Sequence, residues 1–313
     1  MSHYVVTGGA GFIGSAIVRR LLDEGASRVV VIDNLLTGYE RNLEEVHASV
    51  EFQKLDICHY DEIAPVIRDA AVVFHEAAIP SVPRSIEKPL ESHNVNINGT
   101  FNVLRAARDG GVGRVVYAAS SSAYGDTEVL PKVETMTPHP KSPYALQKLV
   151  GEQYCAVFSQ VYGLETVALR YFNVYGPRQD PSSPYSGVLS LFLKALIERH
   201  SPTIFGDGEQ SRDFSFVDDV AELNLKAARA RGVSGRMYNA GNGGRISLNQ
   251  AWELLQRIEG VHIPANYGPP RAGDVRHSQA DICAAARDLG HAPRFSFEEG
   301  IRRTLDWYRH NNR

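Results

Sequence analysis

A glycine-rich loop near the start of the chain has the residue types and spacing that phosphate binding requires. Residues 7–14 read TGGAGFIG and lie between a short β-branched run and a run of helical period. Gly8 permits a tight turn, Gly11 lets the backbone approach a pyrophosphate, and Gly14 lets the helix pack closely on the strand. The helix N-terminus adds N–H donors and the positive end of its dipole. The loop therefore predicts a dinucleotide site.

An acidic residue at the end of the next strand-like run supports this prediction. Asp33 follows Gly14 by 19 residues. A carboxylate there can accept hydrogen bonds from both ribose hydroxyls and would repel a 2′-phosphate. The residues that follow it, Asn34 and Leu35, are not arginines. The pattern therefore favours NAD over NADP. The alternative to a dinucleotide site is a structural glycine turn beside a surface aspartate.

A tyrosine and a lysine spaced for one helix face form the second candidate site. Tyr144 and Lys148 are four residues apart and so share a face. Alone, this spacing occurs often by chance. It gains weight because three serines, 120–122, end a strand-like run upstream, where ligands bind in open α/β sheets. A nearby cation favours a phenolate, and free tyrosine, with a pKa of about 10, needs a shift of several units to act as a base.

Regular alternation of strand-like and helix-like runs predicts the fold that positions these residues. The strand-like runs are His3–Thr7, Arg28–Asp33, Val50–Leu55, Ala71–His75, Arg114–Ala119 and Leu164–Arg170. The helix-like runs are Phe12–Asp23, Tyr60–Arg68, Ser92–Arg108 and Pro143–Tyr162. Continuous apolar strands are typical of a parallel sheet buried on both faces. We predict an α/β fold with a Rossmann-like, doubly wound parallel sheet.

The rhythm changes after residue 172, which predicts a second, smaller part. A loop rich in Gly, Pro, Ser and Asp precedes four helix-like runs. These runs are Val188–Glu198, Val217–Arg229, Leu248–Glu259 and Phe297–Arg309. We expect residues 1–172 to form an NAD-binding domain and residues 173–313 a smaller α/β substrate lobe over the strand ends. The two are expected to interleave and not to be independent.

Composition excludes several classes of protein. In the 313 residues, 43% are hydrophobic and 22% charged, which argues against disorder. A net charge of −3 gives no basic field for nucleic acid or an anionic membrane, and no apolar stretch is long enough to span a bilayer. No signal peptide is visible at the N-terminus. Three scattered cysteines fit a reducing cytoplasm, and eleven histidines without ligand spacing predict no metal site.

The ordered motifs resemble a known family along the whole chain. The GxxGxxG and YxxxK spacings are similar to those of short-chain dehydrogenases/reductases. The full pattern resembles the extended, NAD-dependent UDP-hexose 4-epimerases, and most of all the UDP-N-acetylglucosamine 4-epimerases. The matching segments are TGGAGFIG (7–14), DN (33–34), LDI (55–57), HEAA (75–78), SVPRS (81–85), NINGT (96–100), SSSAYGD (120–126), SPYALQK (142–148), LRYFNVYGPRQ (169–179), GDGEQSRDF (206–214) and RAGDVRHSQADI (271–282).

The resemblance implies roles for individual residues. Tyr144 would be the acid/base, Lys148 its tuner and Ser120 the hydrogen-bonding partner of the sugar 4-oxygen, with Ser121 and Ser122 as open alternatives. Cofactor contacts would come from Gly8, Gly11, Phe12, Ile13, Gly14, Asp33, Asn34, Thr37, Gly38, Asp56, Ile57, Ala77, Ala78, Asn96, Tyr144, Lys148, Tyr171 and Phe172. UDP-sugar contacts would come from Ser81, Arg84, Ser120, Ser122, Tyr144, Asn173, Val188, Thr203, Ile204, Phe205, Arg212, Arg271, Asp274 and Ser278.

The implied activity is epimerisation at C4 of UDP-hexoses through a 4-keto sugar, with NAD tightly held. Ser278 matches the family's sugar-pocket gatekeeper, and its small size leaves room for a 2-N-acetyl group; the preferred sugar stays open. Related dehydratases carry Asp-Glu after the catalytic Ser/Thr, where this chain has Ser121 and Ser122. A net oxidoreductase or dehydratase, and a non-catalytic NAD-binding protein, are the alternatives. The family also implies a homodimer through the helices near Ser92–Arg108 and Pro143–Tyr162.

Overall fold

The computed structural model describes residues 3–180, 187–270 and 275–311. Its strands are β1 (Tyr4–Thr7), β2 (Val29–Ile32), β3 (Glu51–Gln53), β4 (Val72–His75), β5 (Arg114–Ser120), β6 (Thr166–Tyr171), β7 (Asn173–Tyr175), β8 (Thr203–Phe205), β9 (Ser211–Arg212), β10 (Phe214–Phe216), β11 (Arg236–Ala240), β12 (Ile246–Ser247) and β13 (Asn266–Gly268). Its α-helices are α1 (Phe12–Asp23), α2 (Tyr60–Ile67), α3 (Val82–Glu87), α4 (Pro89–His93), α5 (Thr100–Asp109), α6 (Pro143–Tyr162), α7 (Val188–Ile197), α8 (Val217–Arg229), α9 (Leu248–Glu259), α10 (Cys283–Leu289) and α11 (Phe297–Asn311).

Seven parallel strands form the central sheet, in the order β11-β6-β5-β4-β1-β2-β3. The strand order reverses between β1 and β4, which are direct neighbours in register from Tyr4 opposite Val72 to Thr7 opposite His75. In open α/β sheets the ligand crevice lies at this reversal, outside the carboxyl ends of the strands. The doubly wound sheet predicted from the sequence is thus present.

Both faces of the sheet are covered by helices. One apolar core joins β-strand side chains to α1 and α8, and the other joins them to α2, α5 and α6. All four residues of β2 are buried, as a strand between two helical layers requires. A strand between two helical layers must bury both of its faces, which explains why strands and helices alternate along the chain.

Helix boundaries follow local capping signals. The hydroxyl of Ser142 accepts a hydrogen bond from the N–H of Ala145, Pro143 occupies the first turn, and Gly163 ends α6 at φ 70°. Ser247 and Gln250 form a capping box at the start of α9. Such caps satisfy N–H groups that have no partner within the helix.

The second lobe has its own core, built by α7, α9 and α11 with short strand pairs. Residues 217–240 return to the central sheet, since α8 packs on it and β11 extends it beside β6. Spatially, the sheet layer therefore includes chain that follows residue 172. The division of the chain at residues 172/173 remains a prediction from the sequence. Residues after 172 contribute to both the second lobe and the sheet layer.

Several elements differ from the predicted boundaries. The predicted helix Ser92–Arg108 begins earlier, at Pro89, and contains a π-helical turn over Asn94–Gly99 between α4 and α5. Two 3₁₀ segments, Glu40–Ser49 and Ser121–Tyr124, lie in regions without clear periodicity. Within the described part of the chain, no helix is long and apolar enough to cross a bilayer.

Candidate active site

A cleft of about 730 Å³ opens where the strand order reverses. Many of the predicted site residues line it together. They are Gly8, Gly11, Phe12, Ile13, Gly14, Asp33, Asn34, Thr37, Asp56, Ile57, Ala77, Ala78, Ser81, Arg84, Ser120, Tyr144, Lys148, Tyr171 and Phe172. Segments far apart in sequence thus share one wall, because the carboxyl ends of parallel strands meet at one edge of the sheet.

The glycine loop brings backbone to the cleft surface. Gly8 has φ +70°, and a Cβ there would lie 2.6 Å from the Ala77 nitrogen. A Cβ on Gly14 would collide with the Gly8 carbonyl oxygen. A Cβ on Gly11 would meet that same oxygen at 3.0 Å and would otherwise occupy cleft space. The loop and the start of α1 therefore form a cradle that side chains would fill, as a bound pyrophosphate requires.

The Asp33 carboxylate faces the same cleft and is buried. One oxygen accepts a hydrogen bond from the Ala10 N–H at 3.0 Å, and the other accepts one from the Leu35 N–H at 2.8 Å. Burial raises the pKa of Asp33, and these two N–H donors oppose the rise. Each oxygen retains acceptor capacity. The arrangement fits the two ribose hydroxyls of a dinucleotide.

Asn34 and Asp56 are joined on the same side of the cleft. The Asn34 amide donates to Asp56 at 2.9 Å, and the second Asp56 oxygen accepts from the Cys58 N–H at 2.8 Å. These bonds connect the segments that follow β2 and β3. Together with the glycine cradle, they make a pre-formed wall for the adenosine half of a dinucleotide.

The tyrosine, lysine and serine meet at the other side of the reversal. Tyr144 lies in the first turn of α6, where its N–H donates to the Ser85 hydroxyl at 3.1 Å. Lys148 lies one turn later, and its ammonium donates to the Ala118 carbonyl at 2.8 Å. Ser120, at the end of β5, hydrogen-bonds to the Tyr144 phenol. All three residues line the cleft.

A third ionisable group, Glu76, affects the pKa values of both Tyr144 and Lys148. Burial raises the pKa of Tyr144; the hydrogen bond with Ser120 opposes this rise and the nearby Glu76 adds to it. Burial lowers the pKa of Lys148 to about 8, and Glu76 opposes that change. The Lys148 ammonium lies 5.1 Å from the centre of the Tyr117 ring. Lowering the Tyr144 pKa to a useful range therefore requires a further positive charge in the cleft.

The three neighbouring serines are not equivalent. Ser120 lines the cleft, whereas the Ser122 hydroxyl donates to the Ser120 oxygen at 2.8 Å and its N–H donates to that oxygen at 3.2 Å. Ser121 and Ser122 begin the 3₁₀ segment that leads away. The geometry favours Ser120 as the serine that would meet a ligand, with Ser122 behind it.

Glu76 is a cleft residue that the sequence analysis did not assign. It follows β4 directly, and its carboxylate accepts a hydrogen bond from the Tyr171 hydroxyl at 2.7 Å. That hydroxyl also accepts from the Asn224 amide at 2.8 Å. Burial raises the pKa of Glu76 to about 7, while Tyr171 and Lys148 oppose the rise. The available signal was its position, since a carboxylate directly after a buried central strand lies at the ligand edge.

A second unassigned group lies at the rim, where the two lobes meet. The Tyr39 hydroxyl donates to Asp180 at 2.6 Å, and Arg178 pairs with Glu45. Tyr39, Arg178 and Asp180 all line the cleft. These contacts tie the loop after β2 to the loop after β7 across the opening. No local pattern marks them, because each partner is more than 130 positions from the other.

Several predicted site residues lie behind the cleft wall. Gly38 is buried against Ala10 and Asp33, and Asn96 exchanges hydrogen bonds with the backbone of Ile79, which it holds in place. Ser122, Asn173 and Val188 also lie off the described wall. Asn173 opens β7, where its N–H donates to the Asp213 carbonyl at 3.0 Å.

The predicted nucleotide-binding residues of the second lobe form a separate group. Thr203 is exposed, Ile204 is buried in the lobe core and Phe205 is half-buried. Arg212 is half-buried, and Ser278 donates its N–H to the Ser211 carbonyl at 3.0 Å beside it. Arg271 and Asp274 lie outside the described residues. Across the described ranges, no group of three or more His, Cys, Asp or Glu side chains could hold a metal ion.

The sheet reversal, the glycine cradle and the Tyr144–Lys148 pair define a dinucleotide-binding protein of the Rossmann type with a reactive cleft. Residues 4–241 match the NAD dependent epimerase/dehydratase family. The chain therefore belongs to the NAD-dependent epimerase/dehydratase family, which confirms the resemblance inferred from its motifs.

Individual relatives match along nearly the full length. A UDP-glucose 4-epimerase of Mycolicibacterium smegmatis is 38% identical over 312 residues, covering 98% of this chain and 99% of its own. The structure of a UDP-N-acetylglucosamine 4-epimerase from Methanobrevibacter ruminantium, in complex with UDP-N-acetylmuramic acid, matches with a TM-score of 0.94 at 38% identity, covering 99% and 98%. A Thermus thermophilus UDP-glucose 4-epimerase in complex with NAD matches with a TM-score of 0.90 at 36% identity, covering 99% of each chain.

Proposed function

We propose that this protein is an NAD-dependent epimerase that inverts C4 of UDP-hexoses and accepts the N-acetylglucosamine and N-acetylgalactosamine pair as well as the glucose and galactose pair. The observation that carries the proposal is the convergence of Tyr144, Lys148 and Ser120 on one cleft beside the glycine cradle. Acid/base groups beside a dinucleotide cradle suit reversible oxidation of a sugar hydroxyl.

Tyr144 removes the proton of the sugar 4-hydroxyl, and Ser120 orients that oxygen through a hydrogen bond. Bound NAD supplies the hydride acceptor and later the hydride donor for C4. The resulting 4-keto sugar turns about its bond to the diphosphate, so that its opposite face is presented. Tyr144 then returns the proton to the 4-oxygen. C4 is inverted and no net oxidation occurs.

Lys148 has two roles at this end of the cleft. Its contact with the Ala118 carbonyl holds α6 on β5, so that Tyr144 faces Ser120. Its ammonium adds positive charge to the same site. A nicotinamide cation would add the further charge that the raised Tyr144 pKa requires.

Arg212 binds the diphosphate from the second lobe in this proposal. One nitrogen of its guanidinium donates to the backbone carbonyls of Ser211 and Arg276 at 3.0 and 3.2 Å, which anchors the guanidinium in the second lobe. A planar guanidinium matches phosphate oxygens. The nucleotide would thus be held firmly while the sugar stays free to turn, a division that places binding energy away from the reacting atoms.

Epimerisation is favoured over loss of water by the residues after Ser120. Ser121 and Ser122 carry no carboxylate that could serve as acid or base in an elimination. For the sugar itself, the small Ser278 is proposed to leave room for a 2-N-acetyl group. Its position beside Ser211 and Arg212 puts it next to the proposed nucleotide site.

We also propose a cytoplasmic homodimer. The outer face of α6 exposes Leu146, Val157 and Val161, and α4 exposes Leu90. Apolar groups gathered on neighbouring helices are typical of a protein–protein interface. All three cysteines are free thiols, as suits a reducing compartment.

The deciding experiment is incubation with each of the four UDP-sugars, followed by separation of the 4-epimers and mass analysis. We expect interconversion within both pairs, without added cofactor and without net NADH. Accumulation of NADH, or a product lighter by one water, would contradict the proposal. The Tyr144→Phe variant serves as the negative control.

A further inference from the structure

Glu76 is an acidic group at the reacting end of the cleft for which the proposed mechanism has no task. It lines the cleft near Tyr144, Lys148 and Tyr171. Its backbone N–H donates to the Thr7 carbonyl at 3.0 Å, so the residue is fixed against the end of β1. A carboxylate held in a cleft without a neighbouring cation would be costly to ionise. The surrounding charges therefore decide what it does.

The other acidic residues on the described wall lie elsewhere. Asp33 and Asp56 follow β2 and β3, on the far side of the strand reversal, and Asp180 lies at the rim with Tyr39. Glu76 follows β4, on the same side as β5, whose end carries Ser120. Its charge therefore acts on the end of the cleft where proton and hydride transfer are proposed.

The groups that face Glu76 come from every neighbouring element. From β6, the Tyr171 hydroxyl donates a hydrogen bond to the carboxylate. From α6, the Lys148 ammonium attracts the carboxylate, and the charge of the carboxylate in turn raises the pKa of Tyr144. From α8, the neutral Asn224 acts through Tyr171. On β4 itself, burial lowers the pKa of His75 to about 3, so that ring is neutral. Lys148 is therefore the positive group whose attraction opposes the rise in the Glu76 pKa.

We propose that Glu76 is a positioning residue that acts through charge: its carboxylate balances Lys148 and favours the oxidised, cationic nicotinamide over the neutral reduced form. The inference rests on the proposed function, in which NAD remains bound through the cycle. A negative charge near the ring stabilises the cation and leaves the neutral form nearly unaffected. The enzyme would then rest in the oxidised form that the first half-reaction needs.

Protonation should switch this preference. Because the pKa of Glu76 is about 7, its charge is present above that pH and is lost below it. The Glu76→Gln variant keeps an oxygen that accepts the Tyr171 hydrogen bond but carries no charge. The Tyr171→Phe variant removes that hydrogen bond and keeps the charge. The two substitutions therefore separate charge from local structure.

The test is a reductive titration of the NAD-loaded protein without sugar, with a redox mediator and the NADH absorbance as readout. It is performed one unit above and one unit below the Glu76 pKa of about 7. Removing Glu76 also favours the neutral form of Lys148, which would offset the effect. The Glu76→Gln substitution is therefore compared with its parent in the native background and in a Lys148→Arg background, where the guanidinium stays charged.

Above the Glu76 pKa, we expect Glu76→Gln to shift the oxidised-to-reduced preference about tenfold towards NADH, which raises the midpoint potential by about 30 mV. One unit below, parent and variant should converge. Tyr171→Phe should keep the pH step, moved to higher pH. The inference is wrong if Glu76→Gln and its parent have equal midpoint potentials in both backgrounds. It is also wrong if Tyr171→Phe loses the pH step of the midpoint potential as Glu76→Gln does. Because no sugar is present, absence of epimerisation by the wild type would refute the proposed function and not this inference.

Discussion

The Lys148 ammonium donates a hydrogen bond of 2.8 Å to the carbonyl of Ala118, two residues before the end of β5. This contact joins α6 to the central strand and sets the direction in which Tyr144, one turn earlier, faces Ser120. The lysine is therefore a structural link as well as a charge. Without a further positive charge in the cleft, the tyrosine is a protonated phenol near neutral pH, since burial raises its pKa.

Removing the phenol should abolish turnover and spare binding. For Tyr144→Phe we expect kcat to fall by about 10²–10⁴-fold, the usual contribution of a general acid/base. The Kd for UDP-sugar should change little, because the second lobe is untouched. Tyr154→Phe is the matched control: this tyrosine lies on the same helix and packs on Phe101 and Phe158. Near-normal kcat in the Tyr144 variant would refute its assignment.

Removing a diphosphate ligand should have the opposite effect. Arg212→Ala should weaken UDP-sugar binding by roughly tenfold or more, the scale of a charged hydrogen bond, while kcat at saturation changes less. Calorimetric titration with UDP alone measures this without catalysis. Arg257→Ala, at an exposed arginine on α9 of the same lobe, is the control and should bind normally. Unchanged UDP affinity in Arg212→Ala would remove this residue from the site.

A buried histidine predicts a pH-dependent stability. His75 lies between the hydroxyls of Thr7 at 2.7 Å and Thr100 at 3.0 Å, and Thr100 donates to the Asn96 carbonyl. Burial lowers its pKa to about 3 from the ordinary 6.5. A depressed histidine pKa means that the unfolded chain binds more protons, so stability is lost as pH falls below about 6.5.

The measurement compares wild type with His75→Gln by urea unfolding from about pH 7 to about pH 5. Glu76 has a pKa raised from 4.5 to about 7 and contributes with the opposite sign across this range, so the difference between the two proteins is used. We expect that difference to change by about 1.4 kcal/mol per pH unit below about pH 6.5. Parallel stability curves would show that His75 is not held neutral.

The fold was largely predictable because its signals are local. The ends of α1, α6, α8 and α9 agree with the predicted ends. Strand β11 reads RMYNA and shows no continuous apolar run, so its place at the edge of the sheet depends on pairing with β6, which no local pattern encodes. The π-helical turn at Asn94–Gly99 is likewise hidden within a helical pattern.

The site divides in the same way. The glycine loop and the YxxxK pair are visible in sequence because their spacing is local. The charge at Glu76 depends on Tyr171, 95 positions away, and on Lys148, so only the folded chain reveals it. The rim pair Tyr39–Asp180 also depends on a contact between the lobes.

The exposed apolar face of α6 should form the dimer contact. Val161 is 63% exposed, one turn after Val157 at 46%. Val161→Glu should convert the dimer to a monomer in light scattering, because a buried unpaired carboxylate in an interface is costly. Leu191→Glu, at an apolar residue 38% exposed on α7, should leave the dimer intact. A wild-type monomer, or an unaffected dimer in Val161→Glu, would refute this interface.

Substrate choice should depend on the residue at position 278. Ser278 is half-buried, and its N–H donates to the carbonyl of Ser211, the neighbour of the proposed diphosphate ligand Arg212. Ser278→Tyr should reduce turnover of the N-acetylated pair by at least roughly tenfold, since a ring there would clash with the acetamide and not with a 2-hydroxyl. Activity on UDP-glucose and UDP-galactose should persist.

The Ser278→Ala variant is the matched control, because it removes the hydroxyl and keeps the space. It should turn over both pairs at rates close to those of the wild type. The ratio of kcat/KM values for the two pairs, measured in all three proteins, reads out specificity independently of enzyme stability. If Ser278→Tyr loses both activities equally, or retains the N-acetylated one, some other residue closes the sugar pocket.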